Sequence, residues 1–83
     1  MKQFRFIDHA LKELERRAIP RQLVLDALAQ PDQVIPNVEG REAYHKRVEI
    51  NGKPYLLRII VEHGDTVVTV YRTSNIKKYW SGE

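Results

Sequence analysis

The chain of 83 residues has no cysteine, one methionine, one tryptophan and only four glycines. The missing cysteine excludes a disulfide framework, a thiolate-ligated zinc site and a thiol nucleophile together. No apolar run approaches the roughly 18 residues that a membrane span requires. The opening stretch from Met1 to Phe6 has no apolar signal core, so a cytoplasmic protein is expected. The glycines form no phosphate-cradling loop, and the three histidines have no H-E-x-x-H or other metal-binding spacing. Acidic residues are scattered without a carboxylate dyad, and Ser74 and Ser81 lack a nucleophile elbow. The expectation is a site with no metal and no cofactor.

What the chain does contain is an ordinary globular balance, 42% hydrophobic and 30% charged residues, which argues against disorder. Its length allows one small domain, residues 1–83, with 74–83 as a docking tail. The net charge of +3 is unevenly placed. Basic and acidic residues cancel up to Glu42. Beyond it Lys46, Arg47, Lys53, Arg58, Arg72, Lys77 and Lys78 outnumber Glu49, Glu62, Asp65 and Glu83, so the whole excess lies in the second half. A basic excess is a weak pointer to a polyanionic partner, because solvated basic surfaces are common.

Asp8 reads as an N-cap, and Ala10, Leu11, Leu14 and Ala18 follow at helical spacing. Phe6 or Ile7 could staple against that row, and Arg16 and Arg17 fall in the last turn, where positive charge suits the helix dipole. Pro20 suits the first position of a second helix, with Leu23, Val24, Ala27 and Leu28 as its apolar stripe and Gln30-Pro31 as its end. The remainder reads as strand. A short edge strand around Val34-Ile35-Pro36 precedes two long strands, 42–50 and 55–62, joined by Asn51-Gly52, a strong hairpin turn. His63-Gly64 turns the chain into a last strand, 66–72.

The predicted fold is therefore α+β, with two N-terminal helices packed on one face of a four-stranded antiparallel meander, ααββββ. Two-residue turns at both hairpins would pair 48 with 55 and 45 with 58, then 60 with 67 and 58 with 69. One face would carry Tyr44, Val48, Ile50, Tyr55, Leu57, Ile59, Val61, Val68 and Val70, and the helices would cover it. The other, open face would carry His45, Arg47, Glu49, Leu56, Arg58, Ile60, Val67, Thr69 and Tyr71.

On that second face Arg58 interrupts an apolar run, with His45 and Thr69 as expected neighbours and Arg47 and Tyr71 on the diagonals. Together they offer a cation for phosphate, an imidazole and a phenol, a set suited to single-stranded RNA. The plain alternative is the mixed polar surface of any uncovered antiparallel sheet. His9 points to the edge of the first helix or to solvent, as a surface or capping residue would, and His63 has no assigned role. Arg72, Lys77, Lys78, Tyr79 and Trp80 make the C-terminal segment basic and aromatic. It could grip RNA, or dock its rings on the sheet rim with the lysines solvated.

Asp8-His9-Ala10, Arg17-Ala18-Ile19, Gly40-Arg41 with Tyr44, and Val67 to Tyr71 occur in an order that resembles a bacterial family of small domains of unknown function, family 4258. Some members end in a Lys-Lys-Tyr-Trp tail like Lys77 to Trp80. The likeness runs from about Phe6 to Trp80. That family is grouped with the BrnT and RelE type toxins, small ribonucleases paired with antitoxins. The resemblance implies a BrnT/RelE-like α+β fold with an active sheet face and marks His9, Arg17, Arg41, Arg58, Thr69 and Tyr71. Where members carry an arginine one turn after the histidine, this chain has Glu13.

The expected function is that of a toxin-like domain that binds RNA or cleaves it without metal. Arg58, helped by Arg47, would stabilise the charge on phosphate during attack by the 2′-hydroxyl. His45 or His9 would move the proton, and Tyr71 would stack on a base or hold the leaving oxygen. Thr69, Arg41, Arg17, Arg72, Lys77 and Lys78 would contact the RNA. An antitoxin-like protein is the expected partner. The alternative is a non-enzymatic module that binds an acidic protein, or RNA without cleavage.

Overall fold

The computed structural model describes residues 3–82; Met1, Lys2 and Glu83, the ends of the expected 1–83 domain and 74–83 tail, lie outside them. In chain order the elements are β1 (Arg5–Phe6), α1 (Asp8–Arg16), α2 (Arg21–Ala29), β2 (Gln33–Pro36), β3 (Arg41–Ile50), β4 (Lys53–Glu62), β5 (Thr66–Thr73) and α3 (Ile76–Tyr79). The class is α+β, as expected. The finer arrangement is not a four-stranded antiparallel sheet. β1 adds a fifth strand and makes the sheet mixed, in the order β1-β5-β4-β3-β2. β1 lies parallel to β5, with Arg5 opposite Thr66 and Phe6 opposite Val67. A two-residue strand is too short to show a period of two, so this edge has no sequence signature.

α1 begins after Ile7 and has no side-chain cap, so Asp8 serves as its first-turn acid rather than as an N-cap. It ends in a Schellman motif: Ile19 N–H bonds Leu14 C=O at 3.0 Å and Ala18 N–H bonds Glu15 C=O at 3.1 Å. Ala18 holds the left-handed position of that motif at φ 52°, where glycine is usual. Pro20 precedes α2 as its N-cap.

Both helices cover one face of the sheet. Ala10 and Leu14 of α1 and Val24, Ala27 and Leu28 of α2 pack with Tyr44, Leu57, Ile59, Val61, Val67 and Val70 into the main core. Burial of this kind is worth roughly 25 cal/mol per Å² of apolar surface, and it supplies the stability that no disulfide provides here.

The β3–β4 hairpin has the expected register, with Ile50 opposite Lys53, Val48 opposite Tyr55 and His45 opposite Arg58. Asn51 and Gly52 both hold positive φ, 53° and 79°, as a type I′ turn requires. The β4–β5 hairpin departs from expectation. Glu62 faces Thr66, and a bulge between Ile60 and Val61 sets Ile60 against Thr69 and Arg58 against Tyr71. Two residues are absorbed on the β5 side, Asp65 in the turn and Val68 in the bulge. Val67 therefore enters the main core, and Val68 joins Ala43, Ile60 and Ile35 in a second apolar cluster, the reverse of the expected assignment.

The second sheet face is not open. After β5 the chain folds back through α3, and the side chains of Tyr79 and Trp80 meet Arg58 and His45. Among the described residues, no helix is long and apolar enough to cross a membrane.

Candidate nucleic-acid interface

Three adjacent strands place His45, Arg58 and Tyr71 in one row across the second face. The Arg58 Nε–H donates to His45 Nε2 at 2.9 Å, and a terminal N–H of Arg58 donates to the Tyr71 hydroxyl. Arginine can only donate, so His45 Nε2 is an acceptor and the ring proton sits on Nδ1. That proton is directed at Gln33 Oε1, 2.8 Å away. Burial, with the Arg58 charge beside it, lowers the His45 pKa from 6.5 to about 4, so the ring is neutral at physiological pH.

His45 is 0% exposed and both of its ring nitrogens are engaged. The expectation that it carries a proton during reaction is therefore replaced by a positioning role: it fixes the Arg58 guanidinium from behind.

Arg58 itself is only 8% exposed. Its guanidinium lies 4.3 Å from the Tyr79 ring centre and 5.3 Å from that of Tyr71. Among the described residues no carboxylate comes within 4.0 Å of it. A buried cation surrounded only by neutral groups leaves a positive potential at its surroundings. Tyr71 and Tyr79, the two rings against this guanidinium, are both half-buried. Because the Tyr71 oxygen accepts from Arg58, its own O–H is left to donate elsewhere.

Arg17 approaches Tyr71 from the C-terminal end of α1, its guanidinium carbon 5.9 Å from the ring centre. Glu13 holds it there through a 3.2 Å bond to a terminal nitrogen. Glu13 also accepts two bonds from Arg16, at 2.8 and 2.9 Å. Those Arg16 bonds keep the Glu13 carboxyl below the usual carboxylate range; burial opposes them, and Arg17 adds to the lowering. Arg17 Nε is buried and has no hydrogen-bond partner among the described residues.

The other expected residues divide. His9, Arg41 and Thr69 line a separate surface hollow of about 510 Å³ together with Ile7, Glu62, Thr66 and Val68. Arg41 there is paired with Glu62 at 2.9 Å. Thr69 is not the neighbour of Arg58, because the longer turn and the bulge together give that place to Tyr71. Arg47 lies beneath Trp80 at 4.1 Å, so it serves the aromatic tail rather than the Arg58 guanidinium. Arg72, one residue past Tyr71, projects to the opposite face and packs on Tyr55 at 4.9 Å, so it does not join this interface. Lys77 and Lys78 are exposed on α3 beside it.

Two contributors, Gln33 and Glu13, were not foreseen. Gln33 joins the tail to the row: its Oε1 accepts from His45 and from Ser81 N–H at 3.0 Å, while its Nε2 donates to Ser81 C=O at 3.0 Å. No local pattern marks a glutamine for that work. Glu13 could have been found, since acids three and four residues before arginines pair on a helix face. The place of Tyr79 and Trp80 over this row follows from the chain's return after β5. Among the described residues no cluster of His, Asp or Glu could hold a metal ion.

Comparison of the chain with protein-family models, with curated proteins and with solved structures finds no match in any of the three.

Proposed function

We propose that the face around Tyr71 binds the phosphodiester backbone of single-stranded RNA and cleaves it without metal, as a toxin-like domain would. The observation that carries this reading is Arg58, a buried cation whose partners, His45, Tyr71 and Tyr79, are all neutral. An anion placed on the solvent side of Tyr71 would complete the arrangement.

In this reading Arg17 and the Tyr71 hydroxyl contact a phosphate oxygen, and Arg58 supplies a fixed positive charge behind them. The 2′-hydroxyl of the preceding ribose attacks the phosphorus, the bond to the 5′-oxygen breaks, and a 2′,3′-cyclic phosphate forms. Tyr71 donates its proton to the departing 5′-oxygen. His9 lies in the separate hollow with Thr69, so the proton of the 2′-hydroxyl passes to solvent water. No cofactor enters the balance.

Incubation of the purified protein with RNA in EDTA tests this reading. Cleavage to cyclic-phosphate ends is expected, with a loss of about a hundredfold in Tyr71→Phe, which keeps the ring and removes only the hydroxyl. Equal cleavage by Tyr71→Phe would overturn the assigned role. Co-purification with an acidic protein and no RNA binding would transfer the same face to the partner-docking alternative.

A further inference from the structure

The residues that cover the row are two consecutive aromatics. Trp80 meets two side chains that rise from the same side of β3: its ring is stacked on His45 at 6.4 Å and 25°, and Arg47 lies 4.1 Å from its centre. Tyr79 lies against the next two strands, 4.3 Å from Arg58 of β4 and edge-on to Tyr71 of β5 at 6.4 Å. Each ring therefore rests on a guanidinium, and each stays partly exposed. From its own helix the exposed Lys78 brings its ammonium to 5.3 Å from the Tyr79 ring centre.

We infer that Tyr79 and Trp80 form a stacking platform for two successive bases of a single-stranded RNA. The inference rests on the RNA reading above and extends it from phosphate to base. Aromatic rings side by side on a sheet, flanked by cations, are the arrangement that holds unpaired bases with little regard to sequence. Tyr71 and Lys78 flank Tyr79, Arg17 lies on Tyr71, and Lys77 is exposed on the same short helix, a set that suits the backbone that would link those bases. A duplex, whose bases are already stacked, gains nothing from such rings. Gln33 holds the platform in place by gripping both backbone groups of Ser81, the residue that follows Trp80.

Trp80 is the sole tryptophan, so its fluorescence reports directly on stacking. The full chain is titrated with a fluorescein-labelled 2′-O-methyl oligouridylate, which lacks the attacking hydroxyl, and with an abasic oligomer of equal length, charge and sugar. Anisotropy reads binding, and Trp80 emission reads stacking. The expected result is binding of both, at least tenfold tighter for the base-bearing oligomer, with Trp80 quenched by that one alone. Trp80→Leu should remove the tenfold advantage and leave the abasic affinity unchanged, while Trp80→Phe restores most of it. Equal affinities with no quenching would overturn the platform and leave the phosphate site standing. Absence of binding to either oligomer would overturn the RNA reading and the platform with it.

Discussion

Arg58 donates its Nε–H to Nε2 of His45 at 2.9 Å, so a permanent cation is held by a histidine that must stay neutral to hold it. Protonating the ring would place two positive charges in contact inside the protein. The unfolded chain takes up that proton near pH 6.5, whereas the folded chain resists until about pH 4. The unfolded state therefore binds more protons between those values, and folding stability falls as the pH drops through that window. The loss approaches about 3 kcal/mol below pH 4. Urea denaturation at pH 7, 5.5 and 4.5 is expected to show this decline. His45→Gln, which has both a donor and an acceptor but no titrating group, should flatten it.

The α1 terminus holds a readily tested local strain. Ala18 sits at φ 52° and is exposed, while the next residue, Ile19, is 4% exposed and completes the motif. A Cβ in the left-handed region costs roughly 1 kcal/mol that glycine avoids. Ala18→Gly leaves no cavity in the core and is expected to raise stability by about 0.5–1 kcal/mol, or roughly 4 °C in Tm for a domain of this size. Calorimetry of the two proteins checks it. The same change at Ala27, helical and fully buried, should destabilise.

Gln33 is the joint between tail and sheet. Gln33→Leu leaves the His45 Nδ1–H and both Ser81 backbone groups without their side-chain partner. The expected outcome is a folded domain with a loosened tail. Amide exchange at Ser81 should accelerate at least tenfold, while Ile59 and Val70 in the central strands keep their protection. Equal acceleration in those strands would mean that the tail is part of the global folding unit.

Local pattern made much of this architecture legible. The apolar stripes of α1 and α2, the Asn51-Gly52 turn and the alternation along β3 and β4 each fix side chains by short-range rules, and those parts match the structure, except that Ala18 lies past the end of α1 and is exposed. His45 beside Arg58 followed directly from the turn. The parts that escaped depend on distant encounters. The extra turn residue Asp65 and the bulge opposite Ile60 and Val61 have no local signal to announce them, yet each moves the register by one, and together they bring Tyr71 rather than Thr69 to face Arg58. β1 is two residues long and exists only because β5 presents an edge. Gln33 meets Ser81 across 48 residues of chain. A candidate site assembled from parity alone was right about the strand pair and wrong about the third member of the row.

Two arginines near Tyr71 separate a face-specific interaction from general basicity. Arg17 stands on the Tyr71 side, while Arg72 packs on Tyr55 on the other face, although it is adjacent to Tyr71 in the chain. Both substitutions remove one positive charge, so a diffuse attraction would respond to them alike. A built phosphate contact at Tyr71 requires a difference. Arg17→Ala is expected to weaken oligoribonucleotide binding about tenfold and to reduce the slope of log affinity against log salt by about 0.7, the value for one phosphate contact on a single strand. Arg72→Ala should change affinity less than twofold. Binding measured by anisotropy from 50 to 300 mM salt decides the matter. Equal losses in the two variants would show that RNA is attracted by net charge and that the Tyr71 face has no special part in holding it.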